Sequence, residues 1–430
     1  MLLPTIVSLL LLAKAKSMTA TANAAAVGTS SHSNAPSLAE RQDDDGKIAP
    51  KVVIISMFSP EAEVWYENLP NSVLSSILAQ NITVWGLSPL YPDVHCTETG
   101  EVCQFTAGES EINAASSAMA FVMSGLFNLS ETYFLFAGIA GVNPKLGTLG
   151  GVALSRFSVQ VALQYEFDAR EKPENFTTGY LPYGAYMPDQ YPTTLYGTEV
   201  HEVNEDLRNL AADLAARATL NDSSGAADYR AKYSAAGDMY KPAMNSPSVI
   251  KCDSATSDVY FSGGLLGEAF ENTTKIWTNQ TDMTYCMSAQ EDSAVLQVLL
   301  RSAVWKLVDF SRIILMRTGS DFDRPPPSIS AFDHLRIMDQ NGYDIAIANL
   351  YLSGVEIVKS IVADWNTTYR DGVKPTNYIG DIFGTLGGEP DFGPGSVFKG
   401  TGFSLESSAE GNLAKRSLTK RKGGNARGWK

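Results

Sequence analysis

The stretch Lys51–Trp65, KVVIISMFSPEAEVW, decides how the chain is read. Val52–Ile55 is an unbroken β-branched run between polar residues, the pattern of a strand covered on both faces. Ser59, Pro60 and Glu61 then open a helix. Proline needs no hydrogen-bond partner in a first helical turn, and an acidic neighbour suits the positive end of the helix dipole. One strand running directly into one helix is the repeating unit of an α/β layered protein.

Outward from this unit the alternation continues. Ile112–Leu126 is rich in Ala and Met at helical spacing, and Tyr133–Ala137 (YFLFA) reads as a second buried strand. The Gly-rich stretch 138–151 (GIAGVNPKLGTLGG) reads as a turn, and 151–168 as long alternating β structure. Later come a helix over about 288–310, a strand at Ile313–Met316 and a helix over about 341–365. No internal repeat and no Pro/Gly linker divides 51–400, which is expected to be one domain with insertions. The strongest apolar stretch in it, Ala114–Phe127, is broken by Asn128, Ser130 and Glu131. No span of the roughly 20 apolar residues that a bilayer requires is therefore expected after the N-terminus.

The 430 residues are 44% apolar and 10% aromatic, enough for a large core, which excludes a disordered, collagen-like or disulfide-dominated chain. Forty-seven acidic against 33 basic side chains give a net charge of −14, which repels nucleic acid and argues against it as a partner. Charge is uneven: 407–430 carries seven Lys/Arg against Glu410 alone, and 401–430 reads as a basic disordered tail. At the other end Leu2–Ala13 matches the apolar core of a secretory signal, although Lys14 and Lys16 follow the run instead of preceding it. Residues 1–22 are read as that signal and 23–50 as a disordered linker. Seven N-x-S/T sequons (Asn81, Asn128, Asn175, Asn221, Asn272, Asn279 and Asn366) agree with a secreted or cell-surface glycoprotein.

In such a compartment the four cysteines are expected to form disulfides. Three pairings are possible, and the local one, Cys96–Cys103 with Cys252–Cys286, closes the shortest loops. No C-x-x-C occurs, and His32, His95, His201 and His334 have no ligand spacing, so neither a metal nor another cofactor is expected.

Five short motifs carry the chemistry: Ile54–Trp65 (IISMFSPEAEVW), Gly108–Met119 with Phe134–Gly151, Ser257–Gly264 (SDVYFSGG), Met287–Leu299 (MSAQEDSAVLQVL) and Ile314–Pro327 (ILMRTGSDFDRPPP). From Lys51 to about Lys399 the chain resembles the fungal purine nucleoside permease family. Through the five motifs, in order, that family is similar to the nucleoside phosphorylase and nucleosidase superfamily. The resemblance implies a nucleoside phosphorylase-like three-layer α/β sandwich around a mixed twisted sheet, with a nucleoside pocket at its strand ends.

The resemblance also assigns roles. Glu61 falls on the carboxylate that activates water; without the resemblance it is an ordinary helix-start charge. Gly138, Ile139, Ala140 and Gly141 occupy the pocket turn, where small residues let backbone amides approach the sugar or a phosphate. Phosphorylases hold phosphate there with an Arg and a Ser, and Phe136 and Ile139 stand at those positions here, so phosphorolysis is disfavoured. Tyr260 and Phe261 are the rings to pack on the purine. Gln290 and Glu291 match a Met-Glu pair whose carboxylate accepts the ribose 2′ and 3′ hydroxyls. Asp292 replaces a usual small residue and reads as a partial substitute or a surface charge. In R-x-x-S-D, Arg317, Ser320 and Asp321, the Asp sits beside purine N7 and can protonate it if burial raises its pKa. Asp323 is its rival.

The expected function is therefore hydrolysis of the N-glycosidic bond of adenosine, guanosine or inosine. Glu61 is the base, Asp321 the acid, and Ser320 an aid in holding the purine. The alternatives are a secreted nucleoside-binding protein that serves an uptake system without catalysis, and phosphorolysis. Relatives of this superfamily usually assemble, so a homo-oligomer is also expected.

Overall fold

The computed structural model describes residues 46–278 and 284–383. The expected signal at 1–22, most of the expected linker at 23–50, the sequon at Asn279, residues 384–400 and the expected tail at 401–430 lie outside the described residues. The last residues of the linker are ordered: Ile48 is buried, donates its N–H to Leu126 O (3.1 Å) and accepts from Asn128 N (2.8 Å). A single large apolar residue between Lys47 and Ala49-Pro50 carries no periodic signal of this.

In chain order the first half holds β1 (Val52–Ser56), α1 (Ser59–Asn68), β2 (Gln80–Thr83), β3 (Asp93–Cys96), β4 (Val102–Thr106), α2 (Ser110–Met123) and β5 (Tyr133–Val142). After it come β6 (Val152–Ser155), β7 (Phe157–Gln160), β8 (Tyr165–Glu166), β9 (Tyr180–Leu181), β10 (Val200–Glu202), α3 (Glu205–Ala215) and α4 (Ser224–Arg230). The rest comprises β11 (Val249–Lys251), β12 (Asp253–Thr256), α5 (Gly264–Thr278), β13 (Tyr285–Ala289), α6 (Asp292–Val304), β14 (Ile313–Phe322), α7 (Ala331–Arg336), α8 (Tyr343–Ala363) and β15 (Gly380–Asp381).

Period-two alternation divides β1 between two cores. Val53 and Ile55 pack with Phe134, Phe136 and Leu315 under α2 and α6. Val52 and Ile54 pack with Leu135, Ile314 and Met316 under α1, α3 and α8. The sheet is therefore covered on both faces, and the protein is a three-layer α/β sandwich. Thirteen strands form that mixed sheet: β4, β1, β5 and β14 run parallel, while β13 lies antiparallel to β5 and β6 antiparallel to β14.

Helix α8, 21 residues long, is apolar enough to cross a membrane by length and composition, and the sequence reading passed over it. Here Leu350, Ile357, Val358 and Ile361 are fully buried in the core beside the sheet, the position of a core helix. The disulfides are Cys96–Cys103 and Cys252–Cys286, the local pairing.

Two readings around the central strands are corrected. Residues 138–141 are not a turn: they continue β5 to Val142, paired throughout with β14. The strand expected at Ile313–Met316 runs on to Phe322. The helix expected from 288 starts only at Asp292, because Met287–Ala289 finish β13. Glycines and polar residues imitate loop composition, but pairing between β5 and β14 stabilises them as strand.

Candidate active site

The sheet forks at β5. One edge of this strand pairs with β1 over Tyr133–Phe136 and with β13 only at Gly141 and Val142, leaving 137–140 without a strand neighbour on that edge. A cavity of about 350 Å³ opens at the fork, within the size range of small-ligand sites.

Glu61 sits against the fork. It is 1% exposed on the first turn of α1, and it reaches back to accept the Met57 N–H at Oε2 (2.7 Å). Its Oε1 accepts the Ile139 N–H (2.6 Å), which faces the unpaired edge of β5. Burial pushes this carboxyl up to about 8, against the pull of the Arg317 guanidinium and the two backbone donors.

Arg317 on β14 lies opposite Gly138 of β5. It is fully buried, and its Nη1 donates to Ile139 O (3.1 Å). Its Nη2 reaches Glu291 Oε2 (3.0 Å) and Asp292 Oδ1 (2.5 Å), and its Nε reaches Asp292 Oδ1 (3.0 Å). Asp292 is thus a buried partner of this arginine, not a surface charge. Glu291, 4% exposed, also accepts the Ser110 N–H at Oε1 (3.1 Å). Ser110 has φ of 76°, a left-handed conformation that is costly outside glycine. Burial raises the Glu291 pKa, while Arg317 and the Ser110 N–H oppose the shift.

A register shift in β14 between Gly319 and Asp321 makes Ser320 a bulged residue. A bulge sets two residues against one and re-aims their side chains, and both Ser320 and Asp321 border the cavity. Ser320 Oγ lies 2.7 Å from Asp321 Oδ1 and 3.2 Å from Ala140 O. Burial raises the Asp321 pKa; the Ser320 hydroxyl opposes that and the charge of Asp323 adds to it. The rival Asp323 also borders the cavity, but its oxygens are held by Arg324 Nε (2.7 Å), Arg324 Nη2 (3.0 Å) and Tyr285 OH (2.9 Å). It is committed to a buried ion pair, whereas Ser320 is the one side chain hydrogen-bonded to Asp321 among the described residues.

Gln290, Ile139, Ala140, Gly141, Tyr260 and Phe261 line the same cavity. Gly138 does not border it and lies beneath the Arg317 guanidinium. Tyr260 and Phe261 are on the loop between β12 and α5, and Tyr260 is 73% exposed, so this stretch is a rim and not a core strand. Phe136 is buried in the apolar core. Sequence reasoning gave no role to Arg317, Ser110, Glu109 or Tyr343; the last two border the cavity as well. The available signal was a lone arginine inside an otherwise apolar strand, beside two consecutive acids at a helix start.

Among the described lining residues five carboxylates (Glu61, Glu109, Glu291, Asp321 and Asp323) face a single cation, Arg317. Such a lining accepts hydroxyls and protonated ring nitrogens and repels anions.

Fold and site together define a mixed α/β sandwich protein with an acidic small-molecule cavity. The family model for purine nucleoside permease (NUP) matches residues 49–374, and the chain belongs to that family. It is 45% identical over 350 residues to the purine nucleoside permease of Candida albicans, covering 80% of this chain and 83% of that protein. It is 39% identical over 325 residues to a probable purine nucleoside permease of Schizosaccharomyces pombe, covering 74% and 90%. Among solved structures it is similar to a 5′-methylthioadenosine/S-adenosylhomocysteine nucleosidase from Neisseria meningitidis, with a TM-score of 0.41 and 15% identity over 73% of this chain and 99% of that one. A futalosine hydrolase of Helicobacter pylori is similar with a TM-score of 0.40 and 13% identity over 71% and 98%.

Proposed function

We propose that this cavity binds a purine nucleoside and hydrolyses its N-glycosidic bond. The observation that carries the reading is the convergence of Glu61, Glu291 and Asp321 on one cavity, each from a different element. Glu291 accepts the ribose 2′ and 3′ hydroxyls with the lone pairs left by Arg317 and Ser110. Glu61 takes a proton from water as the water attacks C1′, and Asp321 gives its proton to N7 as the base departs. Ser320 holds Asp321 in place, Gln290 borders the sugar, and Tyr260 and Phe261 close over the purine from the rim. The acidic lining and Phe136 in the core disfavour phosphate as the nucleophile.

Purified protein incubated with adenosine, guanosine and inosine, with and without phosphate, tests this. Free base without phosphate supports hydrolysis, and release only with phosphate replaces it by phosphorolysis. Binding without release supports a second reading, favoured by the permease names of the relatives: a nucleoside-binding protein that serves uptake. In either case the two disulfides and the sequons support a secretory, oxidising location.

A further inference from the structure

The buried acid that the proposed chemistry leaves unused is Asp292. We propose that Asp292 is a positioning residue that acts through Arg317: by holding the Nε edge of the guanidinium it fixes how that cation is shared between Glu291 and the Glu61 side of the cavity. The inference rests on the nucleoside reading of this site only for its catalytic readout.

Asp292 is 0% exposed at the first position of α6. Its Oδ1 takes both Nε and Nη2 of Arg317, while its Oδ2 is buried with no hydrogen-bond partner. A carboxylate left half-satisfied in the interior is costly, so its burial needs a compensating partner, and Arg317 is the one its hydrogen bonds supply. The guanidinium Nη1 would lie 2.3 Å from a Cβ at position 138, so glycine there admits the orientation that Asp292 fixes. With the Nε edge occupied, Nη2 offers Glu291 one bond and Nη1 faces Ile139 O beside Glu61 Oε1. Without Asp292, Arg317 is free to turn its whole fork onto Glu291, the bidentate geometry that guanidinium and carboxylate prefer. That pose occupies the lone pairs a sugar needs.

The charge of Asp292 has a second, readable effect. Glu61 faces Arg317 from β14, Glu291 from the start of α6 and Tyr343 from α8. The field of Arg317 favours the ionised form of Glu61, and a negative neighbour on Arg317 weakens that field. Removing the charge at 292 while the guanidinium keeps its place therefore lowers the Glu61 pKa.

The experiment compares Asp292→Ala and Asp292→Asn with the parental protein. The infrared carboxyl band that Glu61→Gln removes is titrated, and kcat, KM and melting temperature are measured with inosine. The expected result is a Glu61 midpoint moved to lower pH in Asp292→Asn, which keeps the arginine pose and loses only the charge. Asp292→Ala should lose about 10–100-fold in kcat, or in inosine affinity if the protein binds without cleaving. Asp292→Asn, whose amide oxygen still accepts from Nε, should recover most of that loss. An unmoved Glu61 midpoint in Asp292→Asn overturns the inference, as does a loss that follows only the folded fraction. If the parental protein releases no base, the hydrolytic reading falls, while the Glu61 titration and the inosine affinities still decide the role of Asp292.

Discussion

Gly138 and Arg317 face each other across β5 and β14, and the missing side chain of one is the space occupied by the other. A Cβ at 138 would lie 2.3 Å from Arg317 Nη1 and 3.0 Å from Glu61 Oε1. Gly138→Ala should therefore displace the guanidinium and cost about 1–3 kcal/mol by overpacking. Thermal unfolding checks the stability, and inosine affinity should fall with it. A variant with parental values in both would mean that Arg317 has room to move without consequence.

The two aspartates at the end of β14 should respond differently. Asp321→Asn removes the transferable proton but keeps the shape, so base release should drop about 10²–10⁴-fold with nucleoside binding nearly intact. A nitrophenyl riboside, whose leaving group needs no proton, should be largely spared. Asp323→Asn instead weakens the buried pair with Arg324, and loss of such a partner costs about 3–5 kcal/mol of stability. Inosine turnover at the parental rate in Asp321→Asn would transfer the acid role to Asp323.

Stability should fall as pH rises. Burial pushes Glu61 up to about 8 and Asp253 up to about 7; the latter accepts the Phe157 N–H (2.9 Å) at the corner between β6 and β7. The folded chain then retains protons that the unfolded chain has released, so unfolding free energy declines between about pH 4 and 8. Urea unfolding across that range measures the slope, and Glu61→Gln with Asp253→Asn should flatten it. The same Glu61 proton predicts that the ionised, water-activating form of Glu61 grows in as pH rises through about 8, which a pH series of base release reads.

Glu291→Gln should weaken ribonucleosides far more than 2′,3′-dideoxynucleosides, by roughly 1.5–3 kcal/mol for charge-assisted bonds. An amide presents one donor where two acceptors are needed. Equal losses by calorimetry would remove Glu291 from the sugar site.

Much of this arrangement was legible in the sequence, and the gaps have physical causes. The β-branched run at Val52–Ile55 and the Pro-Glu helix start at 60–61 need no tertiary context, so β1 and the place of Glu61 could be read directly. Gly138–Gly141 could not, because glycine lowers strand propensity everywhere, and only pairing with β14 restores it here. Nor could the bulge at Ser320, since a one-residue shift in register leaves no mark on composition. Asp292 reads in sequence as either a partial substitute or a surface charge because its partner, Arg317, lies 25 residues away on another element. The apolar length of α8 was legible but was overlooked in the search for a span.

The fork in the sheet also decides where the molecule can breathe. Residues 138–142 are bonded to β14, and Glu61 takes the one amide at the gap, so the amides beneath the cavity should be among the last to exchange with solvent. The stretch 258–262, outside any strand or helix and tied at its ends through the Ser257 and Gly263 amides, has few such bonds within it and should exchange early. A guest would then enter through a pliant rim onto a floor that does not move, with the carboxylates already in position before it arrives.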